Sequence, residues 1–397
     1  MDAAMALATV FFCLLLLASA AISLLLLRLC VAALRRAPAR APYAAVDPEA
    51  AARAAPPPVP QQELPLPVPA AWARPKAPEP RRLAWREVEA LTGGFDEAAV
   101  VGRGGSGGAV YLSRIPVAAA VKVHRWCGGG ERRLGAFRRE LDLLRRVGRH
   151  PRLVALLAYS DDHEEGGALV LEYMPGGTLA DRLHHAATPP LTWRHRMRVL
   201  HDVAAALEHL HDAISVVHGD VSASNVLLDG GGRARLCDLG SACEGTFSAA
   251  VAPARGAAAV GSPGYADPFF LRTGIVSKKS DVYGFGVLLL EALTGSPAAG
   301  TPGPDGSSQY LVARVMPRLR AAGAAGLVDG RLGGDYDAVE AGDVARVAVE
   351  CVAPQPGLRP TMAQVRAAVA EKAARSLAAT DGGESDLKLL DLFRMAS

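Results

Sequence analysis

The chain has 397 residues, half of them hydrophobic, with 43 lysines and arginines against 40 aspartates and glutamates and a formal net charge of +3. A charge so near balance disfavours a polybasic nucleic-acid-binding protein, and the length permits a large hydrophobic core. The cysteines are too few and too scattered for a disulfide framework, and none forms the C-x-x-C pair typical of structural zinc. They are Cys13, Cys30, Cys127, Cys237, Cys243 and Cys351.

The first predicted element is a transmembrane anchor over residues 3–27, which carry no charge. At about 1.5 Å per residue, a helix of that length exceeds the roughly 30 Å of bilayer hydrocarbon. Asp2 is the only charged residue before this segment in the sequence, whereas several arginines follow it. The positive-inside rule therefore predicts a single-pass protein with its N-terminus outside and the rest in the cytosol. We expect the membrane to be the plasma membrane. A cleaved signal peptide is the alternative, since Ala18-Ser-Ala has the form of a cleavage site, although no basic segment precedes the apolar run.

Three further segments follow the anchor. Residues 37–82 hold 13 of the 28 prolines and are predicted to form a semi-stiff juxtamembrane linker. Residues 95–372 have the pattern of one two-part domain. Short Val/Ala/Leu runs with glycine turns predict strands over 95–174, and long amphipathic segments predict helices over 175–372. Residues 373–397 form a C-terminal tail that is either frayed or docked on the domain.

Two features of the strand-rich part suggest a phosphate site. Gly102, Gly104 and Gly107 satisfy G-x-G-x-x-G, and glycine allows backbone N–H groups to approach phosphate oxygens closely. The match is weak alone, because the chain has 41 glycines. Lys122 lies in a short apolar strand, where a buried ammonium needs a partner. Glu140, in the next helical run, is the candidate partner, and a strand-end lysine that reaches solvent is the alternative.

Further candidate site residues lie within the helical part, in two polar segments. These are the runs H-G-D-V-S-A-S-N (218–225) and L-C-D-L-G (236–240). Asn225 is the only asparagine in the chain and follows Asp220 by five residues. Together with Asp238 these residues offer oxygen ligands and a carboxylate base, which suit Mg²⁺ and phosphoryl transfer. Turn-favouring residues that cap strands are the alternative interpretation, which the spacing disfavours.

The pattern H-x-D-x-x-x-x-N followed by D-L-G resembles the catalytic loop and metal-binding motif of protein kinases. The phrases G-S-P-G-Y-A-D-P (261–268), K-S-D-V-Y-G-F-G-V (279–287) and L-R-P-T-M (358–362) are similar to those of plant receptor-like kinases related to Pelle. The resemblance covers about residues 83–372. It implies an α+β, bilobal protein kinase fold with a β-rich N-lobe and a helical C-lobe.

The resemblance also implies roles for the site residues and two ligands, ATP and Mg²⁺. The glycine loop would cover the ATP phosphates, and Lys122 would hold the α- and β-phosphates when paired with Glu140. Asp220 would accept or orient the proton of the substrate hydroxyl. Asn225 and Asp238 would bind Mg²⁺, which neutralises charge during transfer.

Further residues would surround the nucleotide or support the catalytic loop. Those implied to surround the adenine are Val110, Ala120 and Leu227, with Leu171 as gatekeeper and Glu172 to Met174 as hinge. Those implied to support the active state are Asp281, beneath the catalytic loop, and the stacked Leu144, His218 and Leu239.

The sequence departs from the family pattern at several positions. The glycine loop is one residue longer than usual, so an alternative register counted back from Val110 places Gly108 and Gly105 in the last two glycine slots and Arg103 in the first. Ser222 replaces a lysine that contacts the γ-phosphate. Phe269 stands where a glutamate usually pairs with Arg359. Since breaking a buried charge pair costs about 3–5 kcal/mol, we expect Arg359 to have another acceptor or to be partly exposed.

One further departure concerns control. Gly219 replaces the arginine usual before the catalytic aspartate, which makes the chain a non-RD type. Without that cation, a phosphate on the activation segment lacks its usual partner. We therefore expect that activity does not require phosphorylation of Ser241, Thr246 or Ser248.

Together these features predict a membrane-anchored protein kinase that transfers the ATP γ-phosphate to serine and threonine hydroxyls of protein substrates in receptor-type signalling. The alternative is a catalytically weak or inactive pseudokinase that acts as a membrane-tethered scaffold. A secreted structural protein is disfavoured, because the chain has no N-x-S/T site. Since few residues precede the predicted anchor, we expect a partner receptor to supply the ectodomain, and we expect no nucleic-acid partner.

Overall fold

The structure is a computed structural model that describes residues 79–103, 108–114, 118–126, 130–161, 163–164, 166–185, 188–245, 261–300 and 309–378. The predicted anchor, most of the predicted linker, Gly104, Gly107 and the tail beyond residue 378 lie outside these residues. Within the described ranges, no helix is both long enough and apolar enough to span a bilayer. The anchor therefore stays a prediction.

Strands dominate the first part of the described chain and helices the second. The strands are β1 (Arg81–Arg82), β2 (Val100–Arg103), β3 (Ala109–Ser113), β4 (Ala119–Arg125), β5 (Leu156–Ser160), β6 (Gly166–Glu172), β7 (Val216–Val217), β8 (Val226–Leu228), β9 (Ala234–Leu236) and β10 (Cys243–Glu244). The helices are α1 (Trp85–Leu91), α2 (Gly130–Val147), α3 (Leu179–His184), α4 (Trp193–Glu208), α5 (Pro268–Thr273), α6 (Lys278–Thr294), α7 (Leu311–Ala322), α8 (Ala338–Cys351), α9 (Met362–Lys372) and α10 (Ala374–Ala378).

The N-lobe is built on a six-stranded sheet with strand order β1-β5-β6-β4-β3-β2. Strand β4 shows how the sheet separates core from site, because successive side chains point to opposite faces. Val121 and Val123 pack in the cluster that contains Val88 of α1. Lys122 and His124 lie on the other face, where they contact residues of α2. The predicted β-rich N-lobe is confirmed.

The C-lobe is built around two buried helices, α4 and α6. Every residue of α6 from Asp281 to Leu293 is buried, so this helix crosses the lobe's interior. Helix α8 packs against α6, and α9 packs against α4. A Cβ atom at Gly286 would lie 2.6 Å from that of Cys351, so glycine is needed where α6 and α8 approach. Two short antiparallel pairs, β8 with β9 and β7 with β10, lie beside the helices and position the candidate site.

The packed domain extends beyond the predicted limits of 95 and 372. Strand β1, at the end of the predicted linker, pairs in parallel with β5, and Leu83 and Val88 are buried against the sheet. At the other end, Ala373 is buried and the Ser376 backbone N–H donates to Glu340 at 3.1 Å. These contacts were not readable from local pattern, because their partners are distant in the chain.

Candidate active site

An ion-paired cluster lies between the N-lobe sheet, helix α2 and the turn after β9. Lys122 Nζ lies 2.7 Å from Glu140 Oε1 and 2.8 Å from Asp238 Oδ1. Burial by itself lowers the pKa of Lys122, but the two carboxylates more than reverse this and raise it above its ordinary value. The lysine is therefore a fixed cation. The structure brings together the two residues that the sequence suggested as partners and adds Asp238.

Asp238 is held in an unusual backbone conformation. Its φ of 63° and ψ of 79° lie in the left-handed region, which is costly for a residue with a side chain. The side chain accepts a hydrogen bond from Gly240 N at 3.1 Å and forms an ion pair with Lys122. Burial alone raises the pKa of the Asp238 carboxyl, but Lys122 reverses this and lowers it overall. The carboxylate is thus kept ionised and held against Lys122.

The loop after β7 presents Asp220 in a fixed orientation. Its Oδ1 accepts a hydrogen bond from Ser262 N at 2.8 Å. The Asn225 side-chain amide donates both to the Asp220 backbone carbonyl at 2.8 Å and to Oδ2 at 3.1 Å. The five-residue spacing noted in the sequence is therefore the spacing that lets this asparagine brace Asp220.

Asp281, at the start of α6, holds the same loop from below. Its carboxylate accepts hydrogen bonds from the backbone N–H groups of His218 at 2.7 Å and Gly219 at 2.9 Å. His211 Nε2 lies 2.7 Å from the same carboxylate. The bracing contact that the resemblance implied for Asp281 is present. Of the expected stack, Leu144, His218 and Leu239 are all buried, and helix α2 packs against the turn that contains Leu239.

Gly219 has a conformational reason to be glycine. Its φ is +80°, and a Cβ atom would lie 2.6 Å from the carbonyl oxygen of Ser241. The catalytic loop and the segment after Asp238 thus touch through backbone atoms at this point. A longer side chain at position 219 would have to displace one of the two segments.

Arg359 is fully buried, and its acceptor is Asp267. The guanidinium donates two parallel hydrogen bonds to the carboxylate, from Nη1 to Oδ2 at 2.8 Å and from Nη2 to Oδ1 at 2.7 Å. Asp267 precedes Phe269 by two residues, so the expected replacement acceptor exists and lies within the same motif. The carboxylate also caps α5 by accepting from Phe269 N at 2.9 Å.

Tyr265 is a supporting residue that sequence reasoning missed. Its hydroxyl accepts a hydrogen bond from Ala223 N at 2.9 Å and donates to Glu291 in α6. It thereby joins the catalytic loop to the central helix of the C-lobe. The G-Y-A-D-P phrase that contains Tyr265 could have marked it as a functional residue. The neighbouring sequence does not indicate which backbone group its hydroxyl contacts.

Strand β2, which leads into the glycine-rich connection, contains a bulge. Val100 is opposite Tyr111, whereas Gly102 is opposite Val110, so one residue of β2 is taken up between these pairs. Gly102 is the one predicted phosphate-loop glycine that the structure describes, since Gly104 and Gly107 lie in an undescribed range.

Gly108, at the end of the same connection, is required by the sheet. A Cβ atom there would lie 2.6 Å from the carbonyl oxygen of Val123 in β4. Its role is therefore close backbone packing, whatever the loop before it binds. The glycine run thus contains residues with different purposes, which its sequence alone did not separate.

Two of the residues expected around the adenine lie on neighbouring strands of the N-lobe sheet. Val110 is opposite Lys122 in the sheet, and Ala120 is opposite the expected gatekeeper Leu171. Val110, Ala120 and Leu227 are half-buried, as a partly open binding surface requires, whereas Met174 is buried. The Glu172 side chain in the hinge forms an ion pair with Arg235 at 2.5 Å, which sequence reasoning did not foresee.

Comparison with known proteins now identifies the family. The protein kinase domain family matches residues 95–368. The chain belongs to this family. It is 45% identical over 320 residues to salt tolerance receptor-like cytoplasmic kinase 1 of Oryza sativa subsp. japonica, covering 78% of this chain and 85% of that protein. It is 39% identical over 300 residues to a probable receptor-like protein kinase of Arabidopsis thaliana, covering 71% and 85%. Calcium/calmodulin-regulated receptor-like kinase 1 of Arabidopsis thaliana is 34% identical over 284 residues, covering 71% of this chain and 61% of that protein.

The protein is therefore a serine/threonine protein kinase of the plant receptor-like kinase family, which uses ATP and a divalent metal. The residues present fit such a metal. The Asn225 amide nitrogen is engaged by Asp220, which leaves its oxygen as a ligand, and Asp238 adds an ionised carboxylate. Among the described residues, no group of three or more His, Cys, Asp or Glu side chains is arranged to hold a metal by itself. A site completed by nucleotide phosphates is consistent with this donor set.

Ser222 departs from the kinase family pattern, and no contact in the described residues replaces the missing lysine. The residue is fully buried, and its hydroxyl has no hydrogen-bond partner among the described residues. The family pattern has a lysine at this position, so this chain lacks that second cation. Lys122 is consequently the one lysine among the predicted phosphate-binding residues.

Proposed function

We propose that this kinase is catalytically active and transfers the γ-phosphate of Mg-ATP to serine and threonine hydroxyls of protein substrates. The observation that carries the proposal is the joint contact of Lys122 with Glu140 and Asp238. This contact links the sheet, helix α2 and the metal-binding turn in one site. Phosphoryl transfer depends mostly on positioning and electrostatic stabilisation, which are what these fixed charges provide.

Each charged group has a proposed task in the transfer. Lys122 donates hydrogen bonds to the α- and β-phosphates, with its orientation maintained by Glu140. Asp220 receives the proton of the attacking hydroxyl, and its carboxylate is already oriented by Ser262 and Asn225. Asn225 and Asp238 would hold Mg²⁺, which when bound neutralises charge on the phosphates.

The scaffold alternative rests on Ser222, Phe269 and the irregular glycine loop, and the contacts of Arg359 weaken the argument from Phe269. Arg359 keeps a buried carboxylate partner in Asp267, so Phe269 does not leave an unpaired charge. Ser222 still removes one cation from the γ-phosphate. We therefore expect a working kinase whose transfer is slower than that of relatives with a lysine at this position.

The test is phosphate incorporation from radiolabelled ATP by the purified full chain, in autophosphorylation and on a generic protein substrate. Asp220→Asn and Lys122→Met should each lower incorporation by at least a hundredfold, because each removes a group needed in the transition state. Asp161→Asn, at a partly exposed surface carboxylate, is the matched control and should behave as the wild type. Equal incorporation by the wild type and Asp220→Asn would leave only the scaffold function.

We also propose that residues 3–27 anchor the kinase in the plasma membrane, with the catalytic domain in the cytosol. The support is the uncharged stretch and the arginines that follow it. The rice relative is named a cytoplasmic kinase, so the two locations must be separated by experiment. The full chain should resist alkaline extraction from membranes, and deletion of residues 3–27 should release it. Recovery of the full chain in the soluble fraction would refute the anchor, and a mature chain beginning after Ala20 would indicate a signal peptide.

A partner receptor completes the proposed signalling role. The support is the family itself, since the related proteins are named receptor-like kinases. We expect the tagged kinase to co-purify from membranes with a larger receptor. Recovery of the kinase only as a solitary, active monomer would count against this.

A further inference from the structure

A buried histidine beside the Lys122–Glu140 pair has an unused nitrogen. His124, in β4, is only 7% exposed, and its Nε2 has no hydrogen-bond partner within the described ranges. This nitrogen lies 3.6 Å from Glu140 Oε2. That separation is too long for a hydrogen bond. Since a buried unpaired polar atom is costly and uncommon in native proteins, its placement calls for an explanation.

The carboxylate it faces has one oxygen turned to each of two partners. Glu140 Oε1 accepts a hydrogen bond from Lys122 at 2.7 Å, and Oε2 is the oxygen that lies nearest His124 Nε2. The unpaired nitrogen of His124 therefore faces a carboxylate oxygen. A movement of about 0.6 Å would bring the two atoms to ordinary hydrogen-bond distance.

The packing confines the imidazole ring to this position. Its centroid lies 5.3 Å from that of Phe137, which is fully buried in helix α2. His124 is opposite Gly167 in β6, where a Cβ atom would lie 2.6 Å from the Phe137 ring. The absence of a side chain at Gly167 thus makes room for Phe137, which in turn covers His124. The Phe137 ring lies against the imidazole on this side, and Glu140 Oε2 is the carboxylate oxygen that Nε2 faces.

The ring is neutral at physiological pH. Burial, together with the nearby Lys122 cation, lowers the pKa of His124 to about 4. A neutral imidazole donates from one nitrogen only, and an accepting carboxylate oxygen beside Nε2 selects the tautomer that is protonated there. His124 therefore adds a hydrogen-bond donor beside the Lys122 charge without adding a second positive charge.

We propose that His124 is a positioning residue that donates from Nε2 to Glu140 Oε2 and keeps helix α2 oriented for catalysis. Glu140 would then be held through both oxygens, by Lys122 on one side and His124 on the other. Two contacts restrict rotation of the carboxylate more than one does, so Lys122 stays directed at the phosphates. This inference rests on the proposed task of the Lys122–Glu140 pair.

Three substitutions in the full chain separate this role from simple packing. His124→Gln places an amide nitrogen near the position of Nε2, whereas His124→Asn is one methylene shorter and places it near Nδ1. His124→Phe keeps a ring against Phe137 but has no donor. We expect kcat/KM for ATP to fall about tenfold in the Asn and Phe variants and to stay within about twofold of wild type in the Gln variant. The KM for the protein substrate should not change in any of them.

Hydrogen exchange of helix α2 provides a second measurement that does not depend on activity. Its amides should exchange faster in His124→Asn and His124→Phe than in the wild type, and at the wild-type rate in His124→Gln. Wild-type kinetics and exchange in His124→Asn would overturn the inference. Equal losses in all three variants, tracking their melting temperatures, would overturn it too, because packing alone would then account for the effect. An inactive wild type would refute the proposed function, while the exchange data would still decide this inference.

Discussion

The replacement of the family's usual ion pair by Asp267–Arg359 leads to a quantitative prediction. Both side chains are almost completely buried, with 0% and 1% exposure, and two hydrogen bonds of 2.7 and 2.8 Å join them. Asp267→Asn keeps the size of the side chain but leaves the guanidinium charge without its carboxylate. Removing one partner of a buried pair costs about 3–5 kcal/mol.

The structure favours the lower end of that range. Arg359 also donates to the carbonyl oxygens of Ala353 and Lys279, each at 2.8 Å, and its guanidinium lies 5.1 Å from the Tyr283 ring centroid. These contacts remain when the carboxylate becomes an amide. We therefore expect a loss of about 3 kcal/mol in the free energy of unfolding.

Urea-induced unfolding, followed by tryptophan fluorescence, measures this loss. Asp161→Asn is the matched control, because its ion pair with Arg82 is exposed and should contribute about 1 kcal/mol at most. Introducing Phe269→Glu into the Asp267→Asn variant restores a carboxylate at the usual family position and should recover part of the stability. The reasoning is refuted if Asp267→Asn is no less stable than Asp161→Asn.

Three further predictions concern control and stability. Gly219→Ala should destabilise the catalytic loop and lower activity, because position 219 has φ of +80° and the new Cβ would meet the Ser241 carbonyl. Thermal melting measures the loss of stability, and peptide phosphorylation measures the loss of activity. A variant with alanine at Ser241, Thr246 and Ser248 should keep its activity in a kinase assay, and its inactivation with the fold intact would show that a loop phosphate is needed. Burial alone raises the pKa of Asp329, but its hydrogen bonds to Arg331 and Arg196 reverse this and lower it overall. The free energy of unfolding lost in Asp329→Asn should therefore be greatest at neutral pH and shrink as the pH falls below about 4, toward the folded-state pKa. Urea titrations at a series of pH values measure this loss, and a loss that is independent of pH would contradict the prediction.

The candidate catalytic groups could be picked out from the chain alone because they occur in short local patterns. Asp220 and Asn225 are five residues apart, and one loop suffices to bring the amide to the carboxylate. The position of Lys122 in an apolar strand indicated a need for a partner, and the helical run containing Glu140 was near enough to supply it. The limits of the domain were less accessible, since β1 and the residues after 372 depend on distant surfaces.

What the sequence by itself determined about this kinase is its chemistry: which carboxylates, amide and ammonium are available, and the order in which they occur. Only the tertiary structure decided which of them meet. Asp267 and Arg359 are 92 residues apart, and Lys122 and Asp238 are 116 apart. Likewise, His124 gains its relation to Glu140 only when β4 and α2 pack around Phe137. Electrostatic and hydrogen-bond energies depend on distances of a few ångströms in space, and these distances are set by packing rather than by separation along the chain.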